Sequence, residues 1–122
     1  MKKILLVDDS ATARMMSRMI LGSTANYELV SACDGQEGVE KALREKPDLI
    51  LMDVVMPRLS GFQACALLRK EEQTKRTPII LLTTRGEEQW VQKGFESGCN
   101  DYLTKPFNES ELVALLKNYL GE

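Results

Sequence analysis

Leu49-Ile50-Leu51-Met52, four apolar residues without a break, runs into Asp53 and then into Val54-Val55-Met56-Pro57-Arg58-Leu59-Ser60-Gly61. A continuous apolar run of this kind, rather than strict alternation, suits a strand covered on both faces, as in a parallel sheet between helix layers. The aspartate is then a charge at the end of a buried strand, and such a charge must be paired or ligated. Comparable runs lie at residues 4–7 and 79–82, with a weaker one at 102–103. A fifth, 27–32, alternates in part, with Tyr27, Leu29 and Val30 among polar residues.

Helical patterns fill the gaps. Ser10 or Asp9 caps a helix through about Leu21, ended by Gly22. Residues 36–45 carry Val39, Ala42 and Leu43 on one face, and Pro47 stops them. Residues 62–72 are apolar at Phe62, Cys65, Ala66 and Leu68. Residues 87–97 place Val91 and Phe95 four apart, with Gly98 as the terminator. Leu112, Leu115, Leu116, Tyr119 and Leu120 follow the spacing of an amphipathic helix, capped by Ser110 or Asn108 and ended by Gly121. Strand and helix thus alternate five times with short connections. That pattern predicts an α/β fold, a five-stranded parallel sheet with right-handed crossovers and helices on both faces. Residues 1–122 read as one domain, with no linker, repeat or low-complexity tract.

Composition excludes several classes of function. Sixteen basic residues against eighteen acidic ones form no cluster dense enough for a phosphate backbone, so direct nucleic-acid binding is not expected. The apolar run at 4–7 is too short for a secretory core, which needs about 7–15 residues, or for a membrane span. The cytoplasm is the expected location. Cys33, Cys65 and Cys99 show no paired spacing and read as small buried thiols, not as a disulfide or zinc framework. Histidine is absent, which removes Ser-His-Asp and Cys-His mechanisms and any phosphohistidine on this chain. A histidine-borne phosphate would have to come from another protein.

In a parallel α/β sheet the site lies at the carboxyl ends of the strands. Asp8 and Asp9 follow the first run, Asp53 the third, Thr83 and Thr84 the fourth, and Lys105 the fifth. Taken singly, Asp8-Asp9 makes a turn and helix cap, Thr83 a strand end, and Lys105 a solvated loop lysine. Together they bring three carboxylates, a hydroxyl and an ammonium to one edge. Crowded carboxylates repel, and a divalent cation relieves them. An all-oxygen donor set favours a hard cation, Mg²⁺. One carboxylate then serves as nucleophile toward a phosphoryl group, with the metal and Lys105 neutralising charge and the Thr83 hydroxyl donating to a phosphoryl oxygen.

These motifs resemble response-regulator receiver domains, the CheY-like family. The set comprises Asp8-Asp9, Asp53-x-x-Met56-Pro57-x-x-x-Gly61, a strand-end Thr83, and Tyr102-x-x-Lys105-Pro106-Phe107. The match runs from Lys3 to about Leu120. The resemblance implies a doubly wound, flavodoxin-like (βα)5 fold with strand order 2-1-3-4-5. It implies that Asp53 is the phosphoacceptor, and that Asp9, Asp53 and the backbone carbonyl of Val55 ligate Mg²⁺, with Asp8 acting mainly through a water. Lys105 is expected to contact the phosphoryl group, and the Lys105–Pro106 peptide is often cis in similar domains. Thr83 and Tyr102 form the expected switch pair. The face built from the fourth helix, fifth strand and fifth helix is the expected surface for a downstream partner. The expected donor is a sensor histidine kinase or histidine phosphotransfer domain, docking on the first helix. The chain reads as a monomeric signalling switch and not an enzyme, with dimerisation on phosphorylation left open.

Val55 and Arg85 lie where similar domains tune acyl-phosphate hydrolysis. Neither is a carboxamide or carboxylate that orients water, so a relatively persistent phosphoryl-aspartate is expected. Trp90 reads either as a packing residue or as an exposed anchor on the output face. Met15, Met16 and Met19 read as core and edge residues of the first helix. Three rivals stand beside this reading. A Mg²⁺-dependent aspartate-nucleophile phosphohydrolase resembles D-x-D at the first strand, whereas Asp8 and Asp9 are adjacent. A flavodoxin-type module wants a Ser/Thr/Gly phosphate loop there. A receiver fragment of a larger response regulator or hybrid kinase shares every motif.

Overall fold

The computed structural model describes residues 2–22, 27–84 and 86–121. The chain runs β1 (Lys2–Val7), α1 (Ala11–Gly22), β2 (Tyr27–Ala32), α2 (Gly35–Glu45), β3 (Leu49–Asp53), α3 (Gly61–Leu68), β4 (Ile79–Thr83), α4 (Glu88–Ser97), β5 (Asp101–Thr104) and α5 (Glu109–Leu120). The five strands are parallel and lie in the order β2-β1-β3-β4-β5. Alternate residues of the continuous runs feed opposite faces. Leu5, Val7, Ile50, Met52, Ile79 and Leu81 pack with Ala42 of α2, Cys65 and Leu68 of α3, and Trp90 of α4. Ile4, Leu6, Leu49, Leu51, Ile80 and Leu82 pack with Leu21 of α1 and Leu112 and Leu116 of α5. Both faces are covered, which is why the central strands carry no polar alternation.

Helix ends follow local hydrogen bonding. Asp34 caps α2 by accepting from the Glu37 amide, and Lys46 closes that helix in the left-handed region at φ 50°. Ser60 with Gln63, and Asn108 with Glu111, form reciprocal capping boxes at α3 and α5. The α5 cap is therefore Asn108 and not Ser110. The Ser10 hydroxyl accepts from the Ala13 amide at the start of α1.

The third helix ends at Leu68, short of the Glu72 expected from its pattern. Side chains compete for its carboxyl end. The buried Thr74 hydroxyl donates to the Leu68 carbonyl at 2.6 Å. The Arg69 guanidinium donates to the carbonyls of Gly98, Thr74 and Thr77 and to the Asn100 side chain. These bonds fold residues 69–77 into turns. Thr74→Val is expected to cost about 1–2 kcal/mol in urea unfolding, because the Leu68 carbonyl loses its buried hydroxyl donor and keeps only the longer bond from the Glu71 amide.

Candidate metal and phosphoacceptor site

Strand register brings the acids together. β1 and β3 pair with Val7 opposite Met52, so Asp8 and Asp53 leave adjacent strands at the same level. The Asp8 amide still donates to the Ala32 carbonyl, and the Val54 amide to the Leu82 carbonyl, so the chain is held past both strand ends. Carboxylate oxygens of Asp8, Asp9 and Asp53 lie within 4.8 Å of one another. Asp8 is buried, Asp53 partly buried and Asp9 exposed, which leaves the cluster open on one side.

Lys105 reaches this cluster from β5. Its amide donates to the Thr83 carbonyl at 2.7 Å, extending the β4–β5 ladder by one step. Its ammonium lies 3.3 Å from Asp8 Oδ2 and 3.7 Å from Asp53 Oδ2. The Lys105–Pro106 peptide is cis. Burial pushes the Asp53 carboxyl above its ordinary value; Lys105 opposes this, and Asp8 and Asp9 reinforce it. One ammonium among three clustered carboxylates leaves negative charge uncompensated. The oxygen-only donor set and its open side fit a hard divalent cation.

Thr83 is buried at the tip of β4, and a hydrogen bond joins its side chain to the Tyr102 phenol. The Tyr102 ring rests against Gly94, where a Cβ would fall 2.8 Å from the ring edge, so this helix can approach β5 only with glycine there. Burial raises the Tyr102 phenol, as does the Glu87 carboxylate, while the bond with Thr83 lowers it. Thr83 and Tyr102, the expected switch pair, are thus in contact. Val55, in the loop after β3, is 60% exposed. Arg85 lies outside the described residues.

Some expectations change. Met15, Met16 and Met19 are 59%, 60% and 68% exposed, so they face solvent and not the core. Leu21 and Ile20 supply the packing of α1 instead. A groove of about 190 Å³ runs from Asp8 and Lys105 between Met16 and Ile20 of α1 and Phe107. Cys33 is exposed, unlike Cys65 and Cys99. Burial pushes the Cys99 thiol up to about 12, which keeps it protonated and inert. Trp90 packs on Phe62 with ring centroids 5.8 Å apart, in agreement with the packing reading. Arg58 and Asp34 were not anticipated; their pairing spans two loops 24 residues apart, and no short-range pattern announces it.

The family model of the response regulator receiver domain matches residues 4–117. The chain is 40% identical over 121 residues to Protein PilH of Pseudomonas aeruginosa, covering 99% of each. It is 43% identical over 118 residues to the transcriptional regulatory protein ResD of Bacillus subtilis, covering 97% of this chain and 48% of that one. The chain thus spans about half the length of ResD and similar transcriptional regulators. Its structure superposes with TM-score 0.91, at 35% identity and 99% and 98% coverage, on the receiver domain of sensor histidine kinase PA1611 of Pseudomonas aeruginosa, which holds a magnesium ion coordinated in the active site cleft. Motifs, strand order and relatives agree, and the chain belongs to the response-regulator receiver domain family of two-component signalling proteins.

Proposed function

We propose that residues 1–122 act as a phosphoacceptor switch that takes a phosphoryl group onto Asp53 from a phosphohistidine on a sensor histidine kinase or histidine phosphotransfer domain. The observation that carries this reading is the convergence of Asp8, Asp9 and Asp53 within 4.8 Å, with the Lys105 ammonium beside two of them. A carboxylate oxygen of Asp53 attacks phosphorus, a P–O bond forms, the P–N bond to the donor imidazole breaks, and the electron pair leaves with that nitrogen. The ring proton count is restored on the donor.

Asp8, Asp9, Asp53 and the Val55 carbonyl would hold Mg²⁺. When bound, the ion supplies charge neutralisation for the transferring oxygens. Lys105 holds a positive charge against Asp53 and stays beside the new acyl phosphate. Thr83 turns its hydroxyl to a phosphoryl oxygen, which breaks its bond to Tyr102 and frees that ring to move. The event then reaches the α4–β5–α5 face, the proposed binding surface for a downstream protein. Exposed Met16, which lines the groove that opens onto Asp8 and Lys105, together with exposed Met15 and Met19 on the same helix, supports α1 as the docking face for the donor.

Among the described residues no helix is long and apolar enough to cross a membrane, and a cytoplasmic, monomeric protein that dimerises at most on phosphorylation is the proposed state. The test is intact-mass spectrometry after incubation with acetyl phosphate. One phosphoryl group is expected with Mg²⁺ and none with EDTA; equal labelling in EDTA would remove the metal from the account. With exposed Val55 beside the site, the label is expected to persist in Mg²⁺ buffer, and its rapid loss without a phosphatase contradicts that expectation.

A further inference from the structure

We propose that the Arg58–Asp34 ion pair is a positioning clamp on the loop after Asp53, and that it sets how tightly the acidic pocket holds Mg²⁺ without touching the ion. This rests on the Mg²⁺ reading of the site given above. The loop, residues 54–60, leaves the phosphoacceptor strand and returns at once: the Gly61 amide donates to the Val54 carbonyl at 2.8 Å. Midway, Arg58 sits at φ 70°, a left-handed conformation that an arginine adopts only when its surroundings impose it.

Two contacts impose it, both from the β2–α2 turn. The guanidinium meets Asp34 Oδ2 at 2.6 Å, on a carboxylate only 10% exposed. The other oxygen of that carboxylate, Oδ1, caps α2 by accepting from the Glu37 amide at 2.8 Å, so Asp34 is itself immobilised. Next to it, Gly35 abuts the loop so closely that a Cβ would lie 2.3 Å from the Leu59 carbonyl oxygen. The loop that carries Val55, the proposed carbonyl donor, is therefore braced against a neighbouring helix cap. Without the brace the strained Arg58 relaxes, and the loop samples conformations that do not present that carbonyl.

The arginine end of the pair is 68% exposed, so the pair adds little to global stability. Its effect falls on loop geometry, and the two readouts separate. Mg²⁺ affinity is measured by calorimetric titration, and melting by circular dichroism, on wild type, Arg58→Ala, Arg58→Lys and Asp34→Asn. Asp34→Asn keeps an Oδ1 cap acceptor and turns an amide donor toward Arg58, so it breaks the clamp while sparing the helix start. The expected result is a Kd for Mg²⁺ raised about threefold to fivefold in Arg58→Ala and Asp34→Asn. Arg58→Lys is expected to recover part of that loss, with melting temperatures close to wild type throughout. Unchanged Kd in both clamp-breaking variants, with or without a fall in melting temperature, overturns the clamp and leaves the site reading intact. A wild-type chain that takes up no Mg²⁺ overturns the site reading and the clamp together.

Discussion

Asp53→Asn is expected to lose phosphate uptake from acetyl phosphate by at least about a thousandfold, because the carboxamide removes the attacking oxygen. The same change is expected to raise the melting temperature of the metal-free protein near neutral pH. Burial, with Asp8 and Asp9 adding to it and Lys105 subtracting, holds the Asp53 carboxyl above its ordinary 3.8. A carboxyl with a raised folded value favours the folded state only while protonated. That contribution is complete below the ordinary value and is lost as pH rises through the folded one. At neutral pH the ionised Asp53 therefore weighs against the metal-free fold, and the asparagine lifts that burden. The advantage is expected to vanish when pH drops below the ordinary carboxylate range. Mg²⁺ is expected to reverse the order, since an ion at a hundred times its Kd would stabilise the wild type by about 2.7 kcal/mol. Melting curves at acidic and neutral pH, with and without Mg²⁺, check all three signs. A variant less stable than wild type at neutral pH without metal contradicts the electrostatic account.

Gly61→Ala is expected to cost about 2–3 kcal/mol, the range of an overpacked core position, and to weaken Mg²⁺ binding as well. The new Cβ would stand 2.4 Å from the Asp53 carbonyl oxygen and 2.9 Å from Val54 Cα. Both are backbone atoms, so no flexible side chain can yield, and relief must move the strand end that carries Asp53, the proposed phosphoacceptor. Gly22→Ala is the control: nothing lies within 4 Å of its Cβ, and alanine suits a helix better than glycine by about 1 kcal/mol. Urea midpoints are expected to fall for Gly61→Ala and hold or rise for Gly22→Ala. Equal midpoints for the two variants contradict the close-approach argument.

Much of this fold is written in local chemistry. The runs that end in Asp8, Asp53 and Thr83 are buried on both faces and carry no polar alternation, so their strand character is visible in the residues alone. β5 is harder: only Leu103 is buried, and Asp101 and Thr104 join the strand through backbone pairing with Ile80 and Thr83. The early end of α3 is hidden because Thr74 and Arg69 reach back across turns and on to Gly98 and Asn100, contacts that periodicity does not encode. The methionines of α1 misled for a related reason. Their apolar character fits a core, but Ile20 and Leu21 supply the packing of α1 and all three methionines stay exposed.

The acids of the site were legible because strand ends collect at one edge of a parallel sheet whatever the strand order. The distances among them were not, since they depend on the register that sets Val7 opposite Met52. The Arg58–Asp34 pair lay beyond sequence reasoning altogether, because it joins two loops through tertiary packing.

Reductive trapping tests the central assignment most directly. The wild type, incubated with acetyl phosphate and Mg²⁺, is treated with borohydride and its peptides are mapped. An acyl phosphate at position 53 predicts homoserine there and nowhere else, dependent on Mg²⁺. Conversion at Asp8 or Asp9 in its place, or no conversion of any aspartate, contradicts the account.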